Sequence, residues 1–278
     1  MRRVLTALCQ TQTMETKEQS LEAAAVQIAE AARQGAKLVV LPEMFCCPYL
    51  NKAFVENAEP AGGTVWRFLS EAAKSNEIML VGGTMPEQSE DGRLFNTCFV
   101  FNEKGEQIAR HRKLHLYDVD IKDGLKFKES DTFSAGEDIT VIDTVWGKLG
   151  VMVCFDVRFP ELARLMALRG AEAMIIPAVF NMVTGPVYWE LLMQARAIDN
   201  FTYVLACAPA RDESKKFVSY ANSIVVSPWG KTVARLDTAP GILYHELDLD
   251  MVAAVQAQIP VMSARRADLY SLEWKGGN

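Results

Sequence analysis

Leu149-Gly150-Val151-Met152-Val153-Cys154-Phe155 is an apolar run closed off by Lys148 on one side and Asp156 on the other. It suits a buried strand and falls far short of the ~18 apolar residues of a membrane span. Val157-Arg158-Phe159-Pro160-Glu161 follows, and a proline at the first helical position starts a helix. Cys154 therefore ends a strand just ahead of a helix. At such a turn a side chain points into the crevice outside the sheet, and the backbone N–H groups after it can bind an oxyanion. A cysteine at a strand end is more often structural, so the local context leaves both roles open.

Outward from this turn, strands and helices alternate. Toward the N-terminus, Val4–Gln10 reads as a strand, Thr16–Gln34 as a helix ended by Gly35, and Leu38–Leu41 as a strand stopped by Pro42. Thr64–Ser75 is a helix with Val65, Phe68, Leu69 and Ala72 on one face, and Ile78–Thr84 a strand. Phe95–Asn102 and Glu106–Arg112 flank Glu103-Lys104-Gly105 as a hairpin, and Thr140–Asp143 turns into the quoted strand. Beyond it come a helix Pro160–Arg169, a strand Ala173–Val179, a helix Val187–Ile198 and a strand Thr202–Ala208. Asn222–Val226 and Thr232–Leu236 form another hairpin, followed by a strand Ile242–Leu247 and a helix Met251–Gln258. The polar tail after Pro260 is expected to be extended. Hairpins mixed with βα units indicate mixed sheets covered by helices, and no linker or repeat marks a boundary, so residues 1–278 read as one α/β domain.

Composition narrows the function. Of 278 residues, 50% are apolar and 23% charged, and the formal net charge is −6, which argues against nucleic acid as a partner. Six cysteines are too sparse for a secreted disulfide scaffold and suit a reduced, cytoplasmic protein. The run Val4–Cys9 is too short for a signal peptide's core and reads as a first buried strand. Several motifs fail. Gly230-Lys231-Thr232 ends like a phosphate loop, but Val225 stands where that loop needs glycine. His111 and His115 lack the helix and partners of a zinc site, and no G-x-S-x-G accompanies His245.

Two more strand ends carry reactive groups. Glu43 follows Val39-Val40-Leu41-Pro42, and Lys113 follows Ile108-Ala109-Arg110-His111-Arg112. Either could be solvated surface when taken alone. Together with Cys154-Phe155-Asp156-Val157-Arg158-Phe159-Pro160-Glu161, Leu41-Pro42-Glu43 and His111-Arg112-Lys113 resemble the three signatures of the nitrilase superfamily of carbon–nitrogen hydrolases, from about Val4 to Tyr270. The resemblance implies a Glu43-Lys113-Cys154 triad, a second glutamate at Glu129, no cofactor or metal, and a four-layer αββα sandwich. It also implies at least a homodimer, with the tail from about residue 260 at the interface.

The implied chemistry is amide hydrolysis. Cys154 attacks the carbonyl, and Glu43 takes the thiol proton and returns it to the departing ammonia. Lys113 and the Phe155 N–H hold the oxyanion, while Glu129 holds Lys113. A finer resemblance to ω-amidases, which act on 2-oxoglutaramate or 2-oxosuccinamate, runs through His111–Asp120, Phe180–Pro186, Trp189–Leu192, Arg196–Asn200 and Pro209–Asp212. A substrate with a free carboxylate needs a cation, for which Arg158 is the candidate, and Phe180 and Thr184 are expected to line the same pocket. Cys46-Cys47 departs from the small polar pair usual in ω-amidases. The alternatives are a deaminated-glutathione amidase, a carbamoylase, or a non-catalytic interaction protein, the last disfavoured by the intact Glu43, Lys113, Cys154 and Glu129.

Overall fold

The structure is a computed structural model that describes residues 2–122 and 125–276. Its first half runs β1 (Arg3–Gln10), α1 (Lys17–Arg33), β2 (Leu38–Val40), α2 (Asn51–Asn57), α3 (Thr64–Ser75), β3 (Met79–Val81), β4 (Met85–Gln88), β5 (Leu94–Phe101) and β6 (Gln107–Arg112). A small hairpin follows, β7 (Asp118–Asp120) and β8 (Lys126–Lys128). The second half runs β9 (Thr140–Asp143), β10 (Lys148–Val151), α4 (Pro160–Leu168), β11 (Ala173–Pro177), α5 (Gly185–Asn200), β12 (Tyr203–Cys207), β13 (Ile224–Val226), β14 (Thr232–Arg235), β15 (Gly241–Asp248) and α6 (Asp250–Gln258).

Two sheets result. In the first, β1, β2 and β3 run parallel, β15 pairs antiparallel with β1 at one edge, and β6 pairs with β5 at the other. β3 and β4 share one side of β5, opposite β6. In the second the order is β14-β13-β12-β11-β10-β9, with β10, β11 and β12 parallel. Side-chain alternation fixes the layers. Val4 and Leu8 of β1 join Leu149, Val151 and Val204 in a core between the sheets, whereas Ala7 and Cys9 face Ala24 and Ile28 of α1. Leu162 and Met166 of α4 and Trp189 and Met193 of α5 cover the second sheet. The αββα sandwich follows from helices packed on both outer faces.

The ends of α1 match their sequence signals. Thr16 accepts from the Gln19 N–H at 3.2 Å, and Gly35 takes φ +90° just past the helix. Three readings need correction. The strand before Cys154 stops at Val151, because the Asp156 carboxylate accepts the Val153 N–H at 2.9 Å and folds Cys154–Arg158 into a 3-10 turn. Residues after Pro260 first turn, with Ala264 N–H on Pro260 O and Tyr270 N–H on Arg266 O, so the tail extends only beyond Tyr270. Finally α2, β4 and the β7–β8 hairpin were not expected: each is too short to show a period. Among the described residues no helix is long and apolar enough to cross a membrane.

Candidate functional site

The three strand ends meet. Glu43 follows β2, Lys113 follows β6 and Cys154 opens the turn after β10. The approach is tight around the first two. A Cβ on Gly83, at φ +58°, would stand 2.2 Å from the Pro42 carbonyl, and one on Gly136 would stand 2.2 Å from the Arg112 carbonyl. Only glycine lets these backbones close on the segments that carry Glu43 and Lys113. Cys154 itself takes φ +44°, a strained conformation for a residue with a side chain.

Lys113 Nζ donates to Glu43 Oε1 at 2.9 Å and to Glu129 Oε2 at 2.7 Å, and all three side chains are fully buried. Burial works against the ammonium, but the charges of Glu129 and Glu43 outweigh it and hold Lys113 protonated, above the ordinary lysine range. Burial pushes the Glu43 carboxyl above its usual value, with Lys113 opposing and Glu129 reinforcing. The Cys154 thiol is raised as well, by burial first and by the Glu43 charge second, against the pull of Lys113. The Val179 peptide links the pair, since its N–H donates to Glu43 Oε2 at 3.0 Å and its carbonyl accepts from Cys154 Sγ at 3.4 Å.

Two residues of this network were missed in the sequence. Asn96 Nδ2 donates to Glu43 Oε1 and to Glu129 Oε1, each at 2.8 Å, and the Asn96 carbonyl accepts the Lys113 N–H at 2.9 Å. A lone amide in the apolar strand Leu94–Phe101 was the available signal. Asp156, fully buried, accepts from Val153 N, from His115 N at 2.9 Å, from His115 Nδ1 at 2.8 Å and from His111 Nε2 at 3.2 Å. Burial opposes its charge, yet the His111 and His115 bonds prevail and hold it well below the usual aspartate value. His111 and His115 thus flank Lys113 and clasp the turn of Cys154.

The remaining expected residues gather on one side of the thiol. Tyr117, Phe155, Arg158, Phe180 and Thr184 line a narrow crevice with Cys154. The Arg158 guanidinium lies 4.5 Å from the centre of the Tyr188 ring, and no carboxylate pairs with it among the described residues. Thr184 Oγ1 donates to Asn181 Oδ1 at 3.2 Å, and Asn181 Nδ2 donates to the Tyr117 hydroxyl at 3.0 Å. On the other side, Glu43 faces a cavity of about 260 Å³ walled by Tyr49 and Phe217. Cys47 lines that cavity, Cys46 does not, and all six cysteines are free. Cys9, Cys98 and Cys207 are buried in β1, β5 and β12.

Known proteins resemble this chain in sequence and fold. The family described as Carbon-nitrogen hydrolase matches residues 5–257. Omega-amidase NIT2 of Mus musculus is 43% identical over 269 residues, covering 97% of this chain and 97% of the relative. Among solved structures, Saccharomyces cerevisiae Nit3, described as a member of branch 10 of the nitrilase superfamily, superposes with a TM-score of 0.87 at 42% identity, over 95% of this chain and 97% of that one. A mutant amidase from Nesterenkonia sp. AN1, whose active-site cysteine has undergone Michael addition to acrylamide, superposes at 0.78 with 25% identity, over 96% and 98% of the two chains. The chain belongs to the carbon–nitrogen hydrolase family and is a cysteine amidase of the nitrilase superfamily.

Proposed function

We propose that Cys154 is the nucleophile of an amidase acting on short ω-amides of oxo-dicarboxylic acids such as 2-oxoglutaramate and 2-oxosuccinamate. The observation that carries this reading is the buried Glu43–Lys113–Glu129 chain beside a thiol on a strained turn. A raised Glu43 carboxyl suits a group that must take a proton and return it. Glu43 accepts the thiol proton as Sγ adds to the amide carbon. Lys113, fixed in its charged form, and the Phe155 N–H stabilise the oxyanion. Glu43 then protonates the nitrogen, ammonia leaves, and a thioester remains. Water, deprotonated by Glu43, adds to the thioester carbon, and the carbon–sulfur bond breaks to restore the thiol. Glu129 and Asn96 hold Lys113 and Glu43 in register throughout.

The substrate preference rests on Arg158, a cation without a carboxylate partner among the described residues, which shares the crevice of Cys154 with Phe155, Phe180 and Thr184. A guanidinium clamps a carboxylate bidentately. The omega-amidase names of the relatives favour the same substrates. Ammonia release from 2-oxoglutaramate, compared with turnover of deaminated glutathione and of an N-carbamoyl amine, tests it: preference for either of the latter two overturns the assignment.

The assembly we propose is at least a homodimer. Val187, Leu191 and Ile198 leave an apolar stripe exposed along α5, which supports a covered face. Sedimentation at micromolar concentration reads the state directly, and a monomer contradicts it. We propose the reduced cytoplasm as the compartment, which suits six free cysteines.

A further inference from the structure

The two sides of the candidate site are unequal. Cys154 and Arg158 share a narrow crevice, whereas Glu43 looks into the cavity of about 260 Å³. The two spaces meet at Val179, which lines both, and at the contact of the Glu43 carboxyl with the Cys154 thiol. Chemistry assigns the sides. The acyl group stays on sulfur and extends toward Arg158. The nitrogen departs toward whichever group protonates it, and that group is Glu43. Any substituent on the nitrogen therefore projects into the Glu43 cavity.

Ammonia needs no such space. A water molecule occupies about 30 Å³, while a dry cavity of about 150 Å³ already accepts benzene. One side of the cavity suits an apolar guest: the rings of Tyr49 and Phe217 pack with centroids 4.7 Å apart, and Met44, Pro48, Pro209 and Ala210 line the space with them, alongside the polar Thr13, Ser214 and Ser219. Lys215 is paired with Glu15, and apart from Glu43 the remaining charged residues of the lining, Asp212 and Lys216, are of opposite sign.

We propose that this cavity is a leaving-group pocket, and that the enzyme releases aromatic and apolar primary amines, as well as ammonia, from N-substituted monoamides of dicarboxylic acids. The proposal rests on the roles given above to Cys154, Glu43 and Arg158. The reaction balances as for ammonia. The sulfur–carbon bond forms, the carbon–nitrogen bond breaks, the thiol proton reaches the amine nitrogen through Glu43, and water later cleaves the thioester to the carboxylate.

Three substrates test it: succinamate, N-benzylsuccinamate and 2-benzylsuccinamate, which carry no added group, one on the nitrogen, and one on the acyl chain. The expected result is a kcat/KM for N-benzylsuccinamate within tenfold of succinamate, and a loss of at least a hundredfold for 2-benzylsuccinamate. Ser214→Trp, at the cavity lining, and Phe217→Ala should each lower the ratio of N-benzyl to unsubstituted turnover at least tenfold. Turnover of succinamate with none of N-benzylsuccinamate overturns the pocket but leaves the amidase reading intact. Preference for 2-benzylsuccinamate assigns the cavity to the acyl chain and overturns the proposal. No turnover of any of the three overturns the pocket, and the amidase reading falls with it only if 2-oxoglutaramate also releases no ammonia.

Discussion

The Asp156 carboxylate accepts the backbone N–H of His115 at 2.9 Å, and this bond ties the turn that bears Cys154 to the segment that bears Lys113. Three further donors, from Val153, His111 and the His115 ring, converge on the same carboxylate. The His115 ring in turn stacks on Phe159, with centroids 3.6 Å apart, beyond the other end of the turn.

Asp156→Asn keeps the shape and removes the charge, and at least one converging N–H then faces an amide NH₂. Loss of about 2–3 kcal/mol in urea unfolding at pH 7 is expected, the scale of hydrogen bonds to a charged group. Because the folded carboxyl titrates below its unfolded value, its stabilisation is complete above about pH 4 and fades as pH falls through the folded value. Wild type and variant should therefore converge in stability below about pH 4. A constant gap across that range would falsify the charged role.

Lys113→Met leaves Glu43 and Glu129 buried without their shared cation. A stability loss of about 3–5 kcal/mol is expected, along with loss of amidase turnover. Unfolding at pH 5 and pH 8 checks the cause, since the penalty should grow with pH as Glu43, which burial holds above its usual value, ionises. A variant as stable as wild type at pH 8 contradicts the ion chain.

Asn96→Asp places a third carboxylate against Glu43 and Glu129. Glu43 already titrates above the usual glutamate value, so the acid limb of kcat/KM lies above about pH 4.5. The variant should move that limb upward by about one unit through like-charge repulsion. Asn96→Ala removes a donor from Glu43 Oε1, so it should also move the limb upward, though by less than the added charge does, while misplaced reacting groups lower kcat by up to about a hundredfold. A wild-type pH profile in both variants would remove Asn96 from the control of Glu43.

Arg158→Lys retains charge but loses the planar fork. KM for a carboxylate-bearing amide should rise by about tenfold, roughly one bidentate bond's worth, while a neutral amide of the same length changes little. Equal losses on the two substrates exclude a carboxylate contact.

Much of the architecture could be read directly because its long elements are periodic. Helix Thr64–Ser75 and strand Thr140–Asp143 have the expected bounds, and Thr16 and Gly35 delimit α1 by local stereochemistry. The β7–β8 hairpin was invisible, since each strand is three residues long with a single apolar residue, Val119 or Phe127, too little to establish an alternation. Asn96 and Asp156 went unremarked for a different reason. Their partners lie 33 to 53 residues away for Asn96 and 41 to 45 for the two histidines of Asp156, so nothing local distinguishes these side chains from ordinary polar ones.

What the sequence by itself determined was the placing of reactive residues just beyond strands: Glu43 after β2, Lys113 after β6, Cys154 beyond β10. Strand length and turn chemistry are local properties, and local properties are written in neighbouring residues. Only the tertiary structure decided how those groups face one another. Packing of the sheets removes water from around Glu43 and Cys154, so both titrate high, and it sets Glu129 and Glu43 against the Lys113 ammonium, whose charge they hold despite its burial. The division between a narrow Arg158 crevice and a wide Glu43 cavity is likewise a product of loops brought together from both halves of the chain.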